Sequence, residues 1–238
     1  MITKNLLKVI SVFIIGIVGG IFADQILWPY FVERPLFYKY NLEQPPIYIT
    51  ERKEIIIQEN TALVEAIEKV EKSVVGVRTE TKAGKILEGS GLILTSDGLM
   101  ITLASLVPYG SNFKFYWQGK PLGFEILKRD LKENLALVKL RGKDLPTLGF
   151  ANSAPKLGER VFLVGIVFDE RTPKKIVNEG IVKSFDLDFI KTNIFENYLL
   201  AGSPLFNIEG KILGINTIDK QGKVITIPIS KIRTFADL

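Results

Sequence analysis

The 238-residue chain carries 31 Lys and Arg against 26 Asp and Glu, a formal charge of +5, and 47% of its residues are hydrophobic. It has no cysteine and no histidine, which excludes disulfides, thiol nucleophiles and any catalysis or metal ligation through imidazole or thiolate; no metal and no cofactor are expected. The positive charge is dispersed apart from Lys174-Lys175, and no basic stripe is interleaved with aromatics, so nucleic acid is not an expected partner.

Residues 9–23 form an uncharged apolar run, lengthened by Leu6-Leu7 before it and Ile26-Leu27-Trp28 after it. That approaches the ~20 residues a helix needs to cross a bilayer. Lys4 and Lys8 precede the run and Asp24 follows, so the positive-inside rule puts the N-terminus in the cytoplasm and the C-terminal domain outside. The expectation is a single-pass membrane anchor over 1–27. A cleaved signal peptide shares the charged start and apolar centre, but Ile21-Phe22-Ala23 lacks the small residue three back that cleavage favours, and Val18-Gly19-Gly20 is a weaker site. Gly16 and Gly20 make a Gly-x-x-x-Gly pair that allows helices to approach closely, which would suit a homo-oligomer.

The stretch 28–50 crowds Trp28, Tyr30, Phe31, Phe37, Tyr38 and Tyr40 among Pro29, Pro35, Pro45 and Pro46. The prolines oppose a continuous helix and favour a semi-rigid linker. Its rings suit either the headgroup layer or a hydrophobic arm packed on protein.

Residues 51–238 read as one all-β domain. A strand is expected at 54–58. Asn60 or Thr61 can cap a short helix running to about Lys72, with Leu63, Val64, Ile67 and Val70 at helical spacing. Short strands are predicted at 74–79, 86–95, 113–117, 124–128 and 135–140, then at 161–167, 178–184, 189–192, 211–217 and 224–228. Asp97-Gly98, Gly119, Gly142, Gly158, Gly210 and Gln221-Gly222 supply turns, and 230–235 a terminal helix. Gly89-Ser90-Gly91 is no phosphate loop, because no Gly-Lys-Ser/Thr follows it.

Three segments stand in a telling order. Residues 88–107 run from Glu88-Gly89-Ser90-Gly91 through Asp97-Gly98 to Leu103-Ala104-Ser105-Leu106-Val107. Residues 130–140 read Asp-Leu-Lys-Glu-Asn-Leu-Ala-Leu-Val-Lys-Leu. Residues 190–217 contain Ala201-Gly202-Ser203-Pro204-Leu205, a glycine turn at Gly210, and Gly214-Ile215-Asn216-Thr217. These resemble the histidine, aspartate and serine motifs of the Deg/HtrA family of trypsin-like serine proteases, over about residues 60–235.

The resemblance implies a trypsin-like double β-barrel of two six-stranded barrels meeting near 146–157, preceded by the N-terminal transmembrane helix and the short helix. It also implies a minimal form, since no PDZ segment follows in this sequence. In register with the family motifs, Ser105 takes the place of the general-base histidine, Asn134 that of the orienting aspartate, and Ala201 that of the nucleophile. Leu199 stands where the family has the glycine that opens the oxyanion hole. An alanine forms no acyl-enzyme, and a neutral serine is no base near pH 7. Asp→Asn at the orienting position alone costs about 10⁴ in rate in trypsin-like enzymes. The resulting expectation is a degenerate member with no catalytic residues and no enzyme activity, which binds peptide or protein partners outside the cytoplasm. Ile215, Asn216 and Thr217 would pair with peptide backbone, as the corresponding family strand does. Two alternatives accompany it. One is a serine-type endopeptidase using a displaced nucleophile, Ser203 or Ser105, activated by a lysine. The other is a purely structural scaffold, its cleft filled by Tyr198, Leu199 and Leu200.

Overall fold

The computed structural model describes residues 2–28, 61–170 and 172–238. The expected strand at 54–58, the linker from residue 29 onward and the Asn60 cap lie outside these residues. The chain divides into two compact units.

In the first unit, helix α1 spans Ile2–Phe22 and passes into one wider π-type turn at Ala23–Leu27. The apolar stretch Leu7–Leu27 is 21 residues long. At about 1.5 Å per residue it measures roughly 30 Å, the thickness of a bilayer's hydrocarbon core. Side chains 7–28 are all exposed. A helix that is apolar on every face matches an apolar solvent.

The second unit begins with helix α2, residues 61–70, which buries Ala66 and Val70 and packs Leu63 and Ile67 on the core. Val64, expected on the same face, is exposed instead. Strands β1 (Val74–Glu80), β2 (Ile86–Ile93), β3 (Leu99–Leu103), β4 (Asn112–Trp117), β5 (Lys120–Leu122), β6 (Phe124–Asp130) and β7 (Leu135–Leu140) follow. They form one antiparallel sheet ordered β5-β4-β1-β2-β3-β7-β6. This departs from the expected closed six-stranded barrel. Only Gly123 separates β5 from β6, too little chain for a turn that would let the two edges pair. The curl is closed by rings instead: Phe124 lies 4.8 Å from Phe115 and 6.1 Å from Phe113, between centroids.

The second half meets the expectation directly. Strands β8 (Arg160–Asp169), β9 (Thr172–Phe185), β10 (Ile190–Phe195), β11 (Pro204–Asn207), β12 (Ile212–Ile218) and β13 (Lys223–Pro228) close a barrel in the order β10-β13-β12-β11-β8-β9. β10 shows the driving pattern: Ile190, Thr192 and Ile194 point in, while Lys191, Asn193 and Phe195 point out. The fold class is therefore mostly β, with one half-barrel and one closed barrel.

Helix α3 (Ile229–Ala236) buries Ile232, Phe235 and Ala236 and packs against β7, β12 and β13, bridging the two halves. Its Lys231 reaches Asp188 at 2.7 Å in the second barrel and Glu133 at 3.0 Å in the first sheet. Donating to Asp188, and then to Glu133, raises the lysine's pKa. One large core runs through the first sheet and across to Phe162 and Phe206, whose rings lie 5.5 Å apart; a second, smaller core fills the closed barrel.

Candidate active site

The three positions singled out by the motifs sit on loops at the junction of the two halves. β3 ends at Leu103 and passes into a single tight turn, Ala104–Leu106, which leaves Ser105 exposed. Asn134 precedes β7 in a left-handed conformation, φ 53°, which asparagine tolerates better than most residues. Its main-chain oxygen accepts the N–H of Ala104 at 3.1 Å, and its Oδ1 accepts the N–H of Ser105 at 2.9 Å. Asn134 thus fixes the backbone of the turn that carries Ser105.

Ala201 lies at the end of a short 3₁₀ turn, Tyr198–Leu200, and is buried. Asn197 caps the turn by accepting the N–H of Leu199 at 3.1 Å. The N–H of Ala201 donates to Tyr198 O at 3.1 Å, and that of Ser203 to Leu200 O at 3.1 Å. The N–H of Leu199, at the position that the resemblance assigns to the oxyanion hole, and that of Ala201 are therefore both bonded within the loop. Ala201 O in turn accepts the N–H of Ser90 at 2.9 Å.

Leu106, next to Ser105, closes over this junction. A Cβ built at Gly89 would lie 2.5 Å from both Ala201 O and the Leu106 side chain. A Cβ at Gly202, whose φ is +78°, would lie 2.2 Å from Ser90 O. Glycine is required at both places because backbone meets backbone there. The structure thus joins Ser105 directly to Asn134, and brings Ala201 against the Gly89–Ser90 strand that Leu106 covers.

Ser90 was missed as a site residue, although its Gly-Ser-Gly setting was visible. It is fully buried, its Oγ accepts the N–H of Ile166 from β8 at 2.8 Å, and its carbonyl accepts Thr102 Oγ1 at 2.7 Å. One residue of the first sheet therefore holds both the 198–203 loop and the second barrel.

The peptide-pairing expectation for Ile215, Asn216 and Thr217 needs adjustment. Ile215 and Asn216 are completely buried. Asn216 donates its N–H to Ser203 O at 2.8 Å and accepts the N–H of Gly202 at 2.8 Å. Its side chain bridges Ser203 Oγ at 3.1 Å and Thr226 Oγ1 at 2.6 Å. Two of the three residues are thus fully engaged inside the barrel, whereas Thr217 and the next residue, Ile218, are half-exposed. The same buried chain immobilises Ser203. Among the described residues no hydrogen bond or ion pair joins a lysine to Ser203 or Ser105. No group of three or more acidic side chains that could hold a metal occurs among them either.

Residues 89–215 match the model of the trypsin-like peptidase domain. The chain belongs to the trypsin-like peptidase family. Within it the chain is HtrA-like. Serine protease HTRA1 of Xenopus tropicalis is 33% identical over 163 residues, covering 62% of this chain and 35% of that protein. Serine protease HTRA1B of Danio rerio is 28% identical over 226 residues, covering 82% and 47%. A probable periplasmic serine endoprotease, DegP-like, of Halomonas elongata is 31% identical over 136 residues, covering 54% and 29%. The chain thus spans a third to a half of the length of the HTRA1 relatives. The crystal structure of the serine endoprotease from Yersinia pestis has a TM-score of 0.66 at 22% identity, over 74% of this chain and 65% of that one. At that identity the likeness shows the fold.

These relatives correct one expectation. The chain was expected not to be an enzyme. The matched domain is a peptidase domain and the relatives are named serine proteases and endoproteases, which points to a protease. The expectation rested on the three triad positions, with the oxyanion position Leu199 and the absence of histidine beside them. Their replacement removes the Ser-His-Asp constellation, and trypsin-fold chemistry is not the only arrangement by which serine hydrolases work.

Proposed function

We propose that this is a membrane-anchored, HtrA-type serine protease domain that engages an extended peptide along the free end of β12, outside the cytoplasm. One observation carries the reading. β11 begins at Pro204, opposite Ile215, whereas β12 continues to Ile218. Gly202 and Ser203 extend the pairing only as far as Asn216. In an antiparallel ladder backbone groups point to alternate sides. Asn216 faces β11, and the N–H of Asp219 turns the other way, to Lys223 O. Ile218 therefore faces the side on which β11 has ended, and an incoming strand can use its N–H and C=O. Exposed Phe195, Tyr198 and Leu199 stand on the barrel's adjoining elements and favour apolar side chains in that strand.

The anchor rests on α1, whose length and all-round apolar surface suit a bilayer, and the extracytoplasmic placement on the two lysines before it and on the periplasmic relative. Alkaline extraction of membranes should leave the full chain in the pellet; recovery in the supernatant overturns the anchor. For the peptide site, Ile218→Cys in the full chain in detergent is blocked with a bulky maleimide. Binding of fluorescent Val- and Leu-rich decapeptides, read by anisotropy, should fall at least tenfold, while the same label at Gln221→Cys leaves it unchanged. Equal affinity in the two labelled chains defeats the site. Mass spectrometry of the same mixtures shows whether bound peptide is cut.

A further inference from the structure

The β9–β10 connection, residues 185–189, reads Phe-Asp-Leu-Asp-Phe and carries three exposed apolar side chains; Leu187 is 89% exposed. The loop holds this shape through its own acids. Asp186 Oδ1 accepts the N–H groups of Asp188 and Phe189, each at 2.8 Å, and the Phe189 bond is the chief cause of that carboxyl's lowered pKa. Asp188 pairs with Lys231, whose Nζ stands 5.7 Å over the Phe189 ring. The carboxylates are thus turned to turn-forming and pairing, and the leucine is left at the tip.

The surroundings are cationic. Lys183 and Lys191 lie on the two strands that enter and leave the loop, Lys231 lies beneath it, and Arg233 lines the same hollow as Phe185 and Leu187. Against these four stand Asp186, Asp188 and Glu133, the last two held by Lys231. An apolar tip with a small excess of basic residues about it is complementary to an anionic membrane surface, where aromatic and aliphatic side chains enter the headgroup layer and cations meet lipid phosphates. Chain length does not forbid it. Residues 29–60 separate the described parts of the two units, and a chain of that length reaches at most about 110 Å. A domain of this size is only about 40 Å across, less than that reach.

We propose that the 185–189 loop inserts into the headgroup layer of the bilayer in which α1 is anchored, with anionic lipid as its ligand. The proposal rests on the anchoring reading above. The chain has no cysteine, so one introduced thiol carries a probe without background. Full-length chains with Leu187→Cys, Gln221→Cys or Ile15→Cys are labelled with an environment-sensitive nitrobenzoxadiazole. They are reconstituted into phosphatidylcholine vesicles with and without phosphatidylglycerol, some containing lipid with a nitroxide near the headgroup, which reads residue 187, and some with a nitroxide deep in the acyl chain, which reads residue 15. Gln221 lies in the β12–β13 turn, at the opposite end of β10 from the loop. The expected result is a blue shift at 187 with loss of emission to the nitroxide lipid, larger with phosphatidylglycerol, and water-like emission at 221. Quenching at 15 with water-like emission at 187 overturns the loop contact and leaves the anchor standing. A blue shift at 187 that the nitroxide does not quench means another protein surface covers the loop, and also overturns it. No quenching at 15 removes the anchor, and the loop contact with it.

Discussion

Ser90→Ala isolates the bond that joins the two halves of the domain. The substitution keeps the Ser90 N–H to Ala201 O and the carbonyl that accepts Thr102, because both are backbone groups. It removes only the Oγ that accepts the N–H of Ile166 at 2.8 Å. Ser90 is fully buried and Ile166 nearly so, so water does not replace the lost acceptor. An orphaned buried donor costs about 1–3 kcal/mol. In a domain of this size each kcal/mol moves the melting temperature by about 2–4 °C, giving an expected drop of roughly 2–12 °C. Thermal melts of the full chain in detergent, followed through Trp117 fluorescence, read it. Ser203→Ala, which orphans Asn216 Nδ2 in the same buried region, should fall in the same range. A Ser90→Ala melt within experimental error of the parent would refute the view that this hydroxyl couples the halves.

Gly202→Ala should be worse than either serine change. Its Cβ would meet Ser90 O at 2.2 Å, and the positive φ alone costs roughly 1–2 kcal/mol for an L-residue; expression and melting of the variant check it. Asp186→Asn should lower stability at neutral pH. The Asp186 pKa is depressed from 3.8, so its contribution is present above that value and fades as pH falls through the lower folded one; melts of parent and variant should converge in acid. Lys231→Met should show the opposite profile. The Lys231 pKa is raised from 10.5, so the contribution is complete below that value and lost as pH rises through the higher folded one, and the gap should close only in strong alkali.

Much of this architecture is visible in the sequence because the strands carry their own burial code. The alternation at 190–195 and the unbroken apolar run at 135–138 locate β10 and β7 to within a residue or three. The strands left unpredicted are those whose residues do not report their pairing. β5 is three residues long and begins Lys120-Pro121, and β11 begins at Pro204. β3 lies in a stretch that reads first as a motif. The open first sheet was illegible because closure depends on how little chain joins β5 to β6, whereas the family resemblance supplies a ready barrel. In the candidate site, motif order was enough to bring Ser105 and Asn134 together. What it could not give is direction. Whether a backbone group of β12 on the β11 side has a partner is set by where β11 stops, and that boundary has no residue-type signature. Hence Ile215 and Asn216 proved internal, and the free end lies at Thr217 and Ile218. Ser90 escaped notice for a related reason: a buried serine between glycines looks the same in sequence whether it bonds its own strand or one 76 residues away.

Pairing of an extended peptide with the free end of β12 would occupy the Ile218 backbone. Amide hydrogen exchange of the full chain in detergent, with and without a saturating Val- and Leu-rich decapeptide, tests it most directly. Exchange at Ile218 should slow on peptide addition, with no change at Asn216, whose N–H is already bonded to Ser203 O, and none at Gln221 in the neighbouring turn. Peptide that binds while the Ile218 amide exchanges at its unliganded rate would contradict it.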